Sequence, residues 1–177
     1  SDFQKITTMT VPESRLSSSI VPQLLYRLFP FVCGILALIL YETTNVKGFF
    51  WGDAGEFISV ANTLGIGHAY GHPLFWLLGR LSILIHPSNP AAAMNHLTAL
   101  FSAGTCVVIA HLARNWIQPA LSAFTQIIVI MATTGLYIIA DIVWSQATYT
   151  EVYNLQALFL AFSLYYYDRY IFQDNKK

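Results

Sequence analysis

Two carboxylates stand three residues apart in the stretch GDAGEF, residues 52–57. Asp53 and Glu56 at that spacing suit two kinds of chemistry. A pair of acids can take the proton from an attacking hydroxyl, or help to hold a cation. The same D-x-x-E spacing is also a capping box, in which the first acid closes a helix start and the second reaches back to it. The two readings are compatible, because a cap would fix both carboxylates at a defined point. A third acid, Glu151, opens the apolar run within SQATYTEVYNLQAL. It reads either as a helix-terminal acid favoured by the helix dipole or as a group facing Asp53 across a shared cavity.

Between these acids lies GIGHAYGHP, residues 65–73, with three glycines, His68, Tyr70, His72 and Pro73. Glycine-rich backbone can approach a ligand closely. His68 and His72 are four apart, a spacing that would hold a metal on a helix. The glycines and Pro73 argue against a regular helix here, so no resident metal site is assigned. Each of these histidines alone reads as a polar group at a wet interface, and so does the isolated His86. His96 and His111 fall inside an apolar run, where ligation of a pigment or haem is the functional alternative to a satisfied interior histidine. Cys33 and Cys106 also lie in apolar runs and read as core or lipid-facing thiols, not as a disulfide or zinc framework.

The elements that must position these side chains follow from composition. Of 177 residues 55% are apolar and only 10% charged, with a mean hydropathy of +0.53. Soluble domains carry about 25% charged residues, so lipid is the expected solvent and the fold class is an all-α integral membrane protein. Zero formal net charge and the lack of a basic block exclude nucleic acid as a partner. Four stretches, residues 21–41, 91–113, 116–140 and 152–171, are long enough to cross a bilayer. Arg27 near the start of the first can snorkel, and YYYDRY at the end of the fourth suits a headgroup boundary. Residues 73–86 are short and contain Arg80, so they are expected to lie along the surface.

Charge placement supports that count. Four spans put Lys5, Arg15, Arg27, Arg114, Arg169, Lys176 and Lys177 on one side and leave Lys47 and Arg80 on the other. A fifth crossing would erase this asymmetry, and the basic side is the cytoplasmic one. Both termini are therefore expected in the cytoplasm. Residues 1–20 form a polar segment without a signal-peptide core, 21–171 a single membrane domain whose first span directs insertion, and 172–177 a tail. The outer loop, 43–89, should hold interfacial helices at 54–64 and 73–86. Phe57, Val60, Ala61 and Leu64 give the first its apolar face, and Gly65 and Gly67 should end it. Asp53, Glu56, the histidine loop and Glu151 then share the extracytoplasmic face.

The order WGDAGEFISVANTLGIGHAYGHPLFWLLGRL, NHLTALFSAG, WSQATYTEVYNLQALFLA resembles the amino-terminal part of a membrane-protein family long classed as of unknown function. That family includes a protein O-mannosyltransferase of the endoplasmic reticulum and many bacterial relatives. It has the C-type glycosyltransferase fold, multi-span enzymes that use polyprenyl-phosphate sugars. The resemblance runs over residues 52–161 and rests on a D-[SA]-G-E element followed by an E-V-Y element. It implies transfer of a sugar to a hydroxyl on the extracytoplasmic face, in a multi-pass protein of the bacterial inner membrane. Asp53 would be the catalytic base. Glu56 and Glu151 would orient it or help to hold a divalent cation that offsets phosphate charge. His68, Tyr70, His72 and Arg80 would contact the donor phosphate. The chain departs from the pattern at His68-Ala69-Tyr70-Gly71, where relatives usually show His-Pro-Pro-Gly.

A second expectation comes from a different class. Family members carry many more spans after the E-V-Y segment, so the chain could instead be a non-catalytic accessory subunit of a larger membrane complex, photosynthetic or respiratory. Its 15% aromatic residues suit packing against partner membrane subunits and lipids. A transporter fits less well, because the spans carry almost no interior charge and no broken-helix pair is evident.

Overall fold

The computed structural model describes residues 20–69, 71–117 and 120–173. Tyr70, most of the polar amino-terminal segment and most of the tail lie outside the described residues. Among those described, all regular structure is helical. The helices are α1 (Ile20–Thr44), α2 (Ala54–Thr63), α3 (Pro73–Ile85), α4 (Pro90–Trp116), α5 (Ala123–Ile139), α6 (Asp141–Ala147) and α7 (Tyr153–Asp168), and α7 runs on into a π-helical turn, Arg169–Gln173.

Two segments are long and apolar enough to cross a membrane, Tyr26–Thr44 of α1 and Pro90–Trp116 of α4. A third crossing exists if α5 and α6, bent by 64° at their junction, act as one span. The expected single helix over 116–140 is therefore corrected. Trp116 belongs to α4, and Ser122 starts α5 by accepting a hydrogen bond from the Thr125 amide on its Oγ. Ala140 adopts φ −59 and ψ 125, which takes its carbonyl off the helix axis and breaks the rod. A broken-helix pair is thus present, without a glycine or proline to announce it. The fourth expected span, 152–171, contains the 16-residue α7 and the first three residues of its 5-residue π turn.

α4 is the hub, packed against α1, α3, α5 and α7. Its buried residues are mostly small, among them Ala99, Ser102, Ala103, Thr105, Cys106 and Ala110. Small side chains let helix backbones approach closely where lipid supplies no hydrophobic drive. Gly34 of α1 answers them: a Cβ there would collide with Val107 and lie 3.2 Å from the Ala103 carbonyl. Large apolar side chains of α1, including Phe31, Ile35, Leu36 and Ile39, point outward, as lipid contact requires. At one end of the bundle α2 and α3 pack on the start of α4. Phe57, Ile58 and Ala61 meet Phe75, Ile83 and Met94 there, with Val152 and Leu155 from the α7 side. This small apolar core fixes the polar groups above it.

Candidate functional site

Asp53 precedes α2 with φ −79 and ψ −6, already helical, and its carboxylate makes no capping hydrogen bond. Glu56 does not reach back either. Its Oε1 accepts the His68 backbone N–H at 2.6 Å, and its Oε2 pairs with His68 Nδ1 at 2.9 Å. The expected capping box is therefore replaced by a clamp on the returning loop. Two bonds to one residue, one of them from a backbone amide, outcompete a reach back to Asp53, and the Asp53 carboxylate is left exposed. Leu64, at φ 53, takes the left-handed position that ends α2, not Gly65.

The loop glycines also serve a different purpose from ligand approach. A Cβ on Gly67 would lie 2.5 Å from the Trp76 ring and 3.1 Å from Glu56 Oε1. Only a residue without a side chain lets the loop lie between Trp76 and the clamp. His72 sits at the start of α3, where its ring meets Phe57 edge-on at 5.7 Å and Trp76 at 6.3 Å. The His68–His72 pair is not on a helix. His68 faces Glu56, and His72 forms an aromatic wall. Arg80 donates to the Asn62 carbonyl at 2.6 Å, in the last turn of α2. Asn62 is nine residues beyond Asp53, about 13 Å along a helix, so Arg80 ties α3 to α2 at the end remote from Asp53.

Electrostatics link the acids. Hydrogen bonds from His68 hold the Glu56 carboxyl below its usual range, and the bond to Glu56 raises His68, with a smaller contribution from Asp53. Burial raises Glu151, and the charge of Asp53 raises it further. Glu151, nearly a hundred residues away in sequence, therefore lies within electrostatic reach of Asp53, as the shared-cavity reading requires. Donor atoms of Asp53, Glu56 and His68 all lie within 4.8 Å of one another. Two carboxylates and an imidazole so placed fit a divalent cation of the magnesium or manganese type.

What brings Glu151 to this point was not read from the sequence. Asn95, buried in α4, donates through Nδ2 to the Val46 and Gly48 carbonyls at 2.7 and 3.1 Å, and its Oδ1 accepts the Thr150 hydroxyl at 2.6 Å. The Val46 amide also donates to the Thr148 carbonyl. One side chain thus pins the strand of loop that leads to Asp53 and the one that leads to Glu151. Two turns further along α4, Ser102 donates to Asn154 Oδ1 at 2.7 Å and secures the start of α7. The available signal was a polar residue inside an apolar run, which costs free energy unless it is bonded.

The family described as protein O-mannosyl-transferase TMEM260 N-terminal domain matches residues 53–176, starting at Asp53 itself. The chain belongs to this family. A protein O-mannosyl-transferase tmem260 from Dictyostelium discoideum is 25% identical over 138 residues, 74% of this chain and 16% of its own length. The Mus musculus protein O-mannosyl-transferase TMEM260 is 31% identical over 114 residues, 62% of this chain and 15% of its own. The chain thus covers only about a sixth of the length of these TMEM260 relatives. No solved structure matches it. The expected resemblance to an O-mannosyltransferase family is borne out, and the TMEM260 match contains Asp53, Glu56, His68, His72, Arg80 and Glu151.

Proposed function

We propose that this TMEM260-family chain takes part in glycosyl transfer from a polyprenyl-phosphate sugar to a hydroxyl on the extracytoplasmic face, with Asp53 as the base. The relatives' names make the sugar mannose and favour transfer over the accessory-subunit alternative. The topology that goes with this reading has four spans, α7 and its π turn being the last, and cytoplasmic termini; the distribution of Lys and Arg supports it. The expected bacterial inner membrane is not carried by the eukaryotic relatives, so the outer face is defined only as extracytoplasmic. In the complete fold the exposed apolar faces of α1 and α5 would meet lipid or further spans.

In the proposed step the acceptor oxygen attacks the anomeric carbon while the bond from that carbon to the phosphate oxygen breaks. The polyprenyl phosphate leaves with the bonding electrons, and the hydroxyl proton passes to the Asp53 carboxylate. Glu151, whose proton affinity Asp53 raises, orients the acceptor beside it. Glu56 acts through His68, holding the loop in place. A cation held beside the Glu56–His68 pair, leaving an Asp53 oxygen free for the proton, would offset phosphate charge. His72 would border the donor headgroup, the role the resemblance also implies for Tyr70, and Arg80 would stabilise the platform from α3.

The observation that carries this reading is Asp53 itself: an exposed carboxylate, relieved of capping, within electrostatic reach of both His68 and Glu151. Mannose transfer from polyprenyl phosphate mannose to a hydroxyl-bearing peptide, in membranes containing the protein, tests it. Asp53→Asn should lower turnover about 10²–10⁴-fold; unchanged turnover removes Asp53 from the base role.

A further inference from the structure

A second carboxylate–imidazole pair lies on the outer face, away from the Asp53 loop. Glu42, in the last turn of α1, places Oε1 2.6 Å from His96 Nδ1 in the second turn of α4. His86, at the end of α3, brings its ring within 6.4 Å of the His96 ring, centroid to centroid. Glu42, His86, Ser88, Asn89 and His96 line an open cavity of about 340 Å³. Three helices thus deliver one carboxylate and two imidazoles to one water-accessible recess.

The Glu42 bond sets the tautomer of His96. With a carboxylate on Nδ1 the ring proton sits there, and the Nε2 lone pair is left free. A carboxylate on the far nitrogen is how proteins orient metal-binding histidines and raise their basicity. The ring separation is slightly wider than a shared ion requires. Metal–nitrogen bonds of about 2.0–2.1 Å at a tetrahedral angle put the centroids of two histidines on one ion about 5 Å apart, so the exposed His86 ring must close by about 1 Å on binding. The donor set differs in kind from Asp53, Glu56 and His68. Imidazole pairs select zinc, copper or nickel, whereas carboxylates favour magnesium, calcium and manganese.

We propose that Glu42, His86 and His96 form a site for a divalent first-row transition metal of the zinc class. His86 and His96 supply the nitrogen ligands, Glu42 orients His96, and Ser88, Asn89 and water complete the shell. This site is independent of the transfer reaction.

The test is metal titration of the full chain, purified in detergent and stripped with chelator. Co²⁺ is read by its visible absorption and Zn²⁺ by calorimetry. One equivalent should bind despite excess Mg²⁺. Affinity should fall about 10–100-fold in Glu42→Gln, as for other residues that orient a metal-binding histidine, and further in His86→Gln and His96→Gln, with helicity by circular dichroism unchanged. Asp53→Asn should bind as tightly as the unaltered chain. His86→Gln lies on an exposed loop, so it reads binding even if His96→Gln fails to fold. The proposal is overturned if the helical chain binds no Zn²⁺ or Co²⁺, if His86→Gln leaves affinity unaltered, or if Asp53→Asn removes the binding.

Discussion

Two carboxylate–imidazole pairs stand apart from each other in the fold, Glu56–His68 at 2.9 Å and Glu42–His96 at 2.6 Å. The first closes a loop on the helix that precedes it, across twelve residues, and has Asp53 beside it and Glu151 within the same field. The second joins the ends of α1 and α4, across 54 residues, and has a second imidazole as its neighbour. The pairs are alike, so their chemistry is decided by what stands around them. Carboxylate neighbours suit the first to the proposed proton acceptance and to hard cations, and an imidazole neighbour suits the second to the proposed nitrogen-seeking metal. Asn95, one residue before His96 in α4, is the structural link, since it pins the segments leading to Asp53 and to Glu151.

Asn95→Ala should damage both regions and give the largest loss. The buried Thr150 hydroxyl left unpaired costs about 1–3 kcal/mol, and the part-buried Val46 and Gly48 carbonyls would lose their donor as well. Thermal unfolding in detergent measures this; transfer and Co²⁺ binding should fall together. Loss at one region only would separate the pairs. Gly67→Ala should divide them. Forcing a methyl against Trp76 and Glu56 costs about 1–3 kcal/mol by overpacking and should lower transfer while leaving the His86–His96 recess unaltered. A Gly67→Ala variant with native stability and transfer would show that the loop has room to spare.

Glu151→Gln probes the field of Asp53 with a smaller effect. Burial and Asp53 raise Glu151 above its usual value, so its ionised form opposes folding. That penalty is absent below the ordinary carboxyl pKa and fully present above the raised one. Glu151→Gln should therefore unfold at higher temperature at about pH 7 and show little gain at about pH 4. The Glu56–His68 clamp gives the smallest effect. Its contribution from His68, raised above 6.5, is full below that value and is lost as pH rises through the shifted one. Its contribution from Glu56, lowered below 4.5, is full above that value and is lost as pH falls through the shifted one. Protection of the His68 amide, its intrinsic exchange rate at each pH divided by the observed one, should be greatest between about pH 4.5 and 6.5, and His68→Gln should flatten the dependence.

Much of this was legible in the sequence where the cause is local. The apolar spacing of Phe57, Val60 and Ala61 located α2, and Pro73 marked the start of α3, because periodicity and a missing amide act within a turn or two. The motif carrying Asp53 was legible through resemblance, and a Glu151 facing it was one of two readings of an acid at the head of an apolar run. The fate of Glu56 was not, since a capping box and a loop clamp demand the same residue types and differ only in where residue 68 returns. The break at Ala140 carries no breaker residue, so packing of α6 against α4 decides it. Asn95 and the Glu42–His96 pair depend on contacts about fifty residues apart, which no spacing rule reaches.

The central claim is that Asp53 accepts the acceptor proton. Its most direct test is steady-state mannose transfer by the unaltered protein and Asp53→Asn, with donor binding followed separately. The account predicts a fall in kcat of about 10²–10⁴-fold with donor affinity retained. An unchanged kcat, or a loss wholly explained by weaker donor binding, would contradict it.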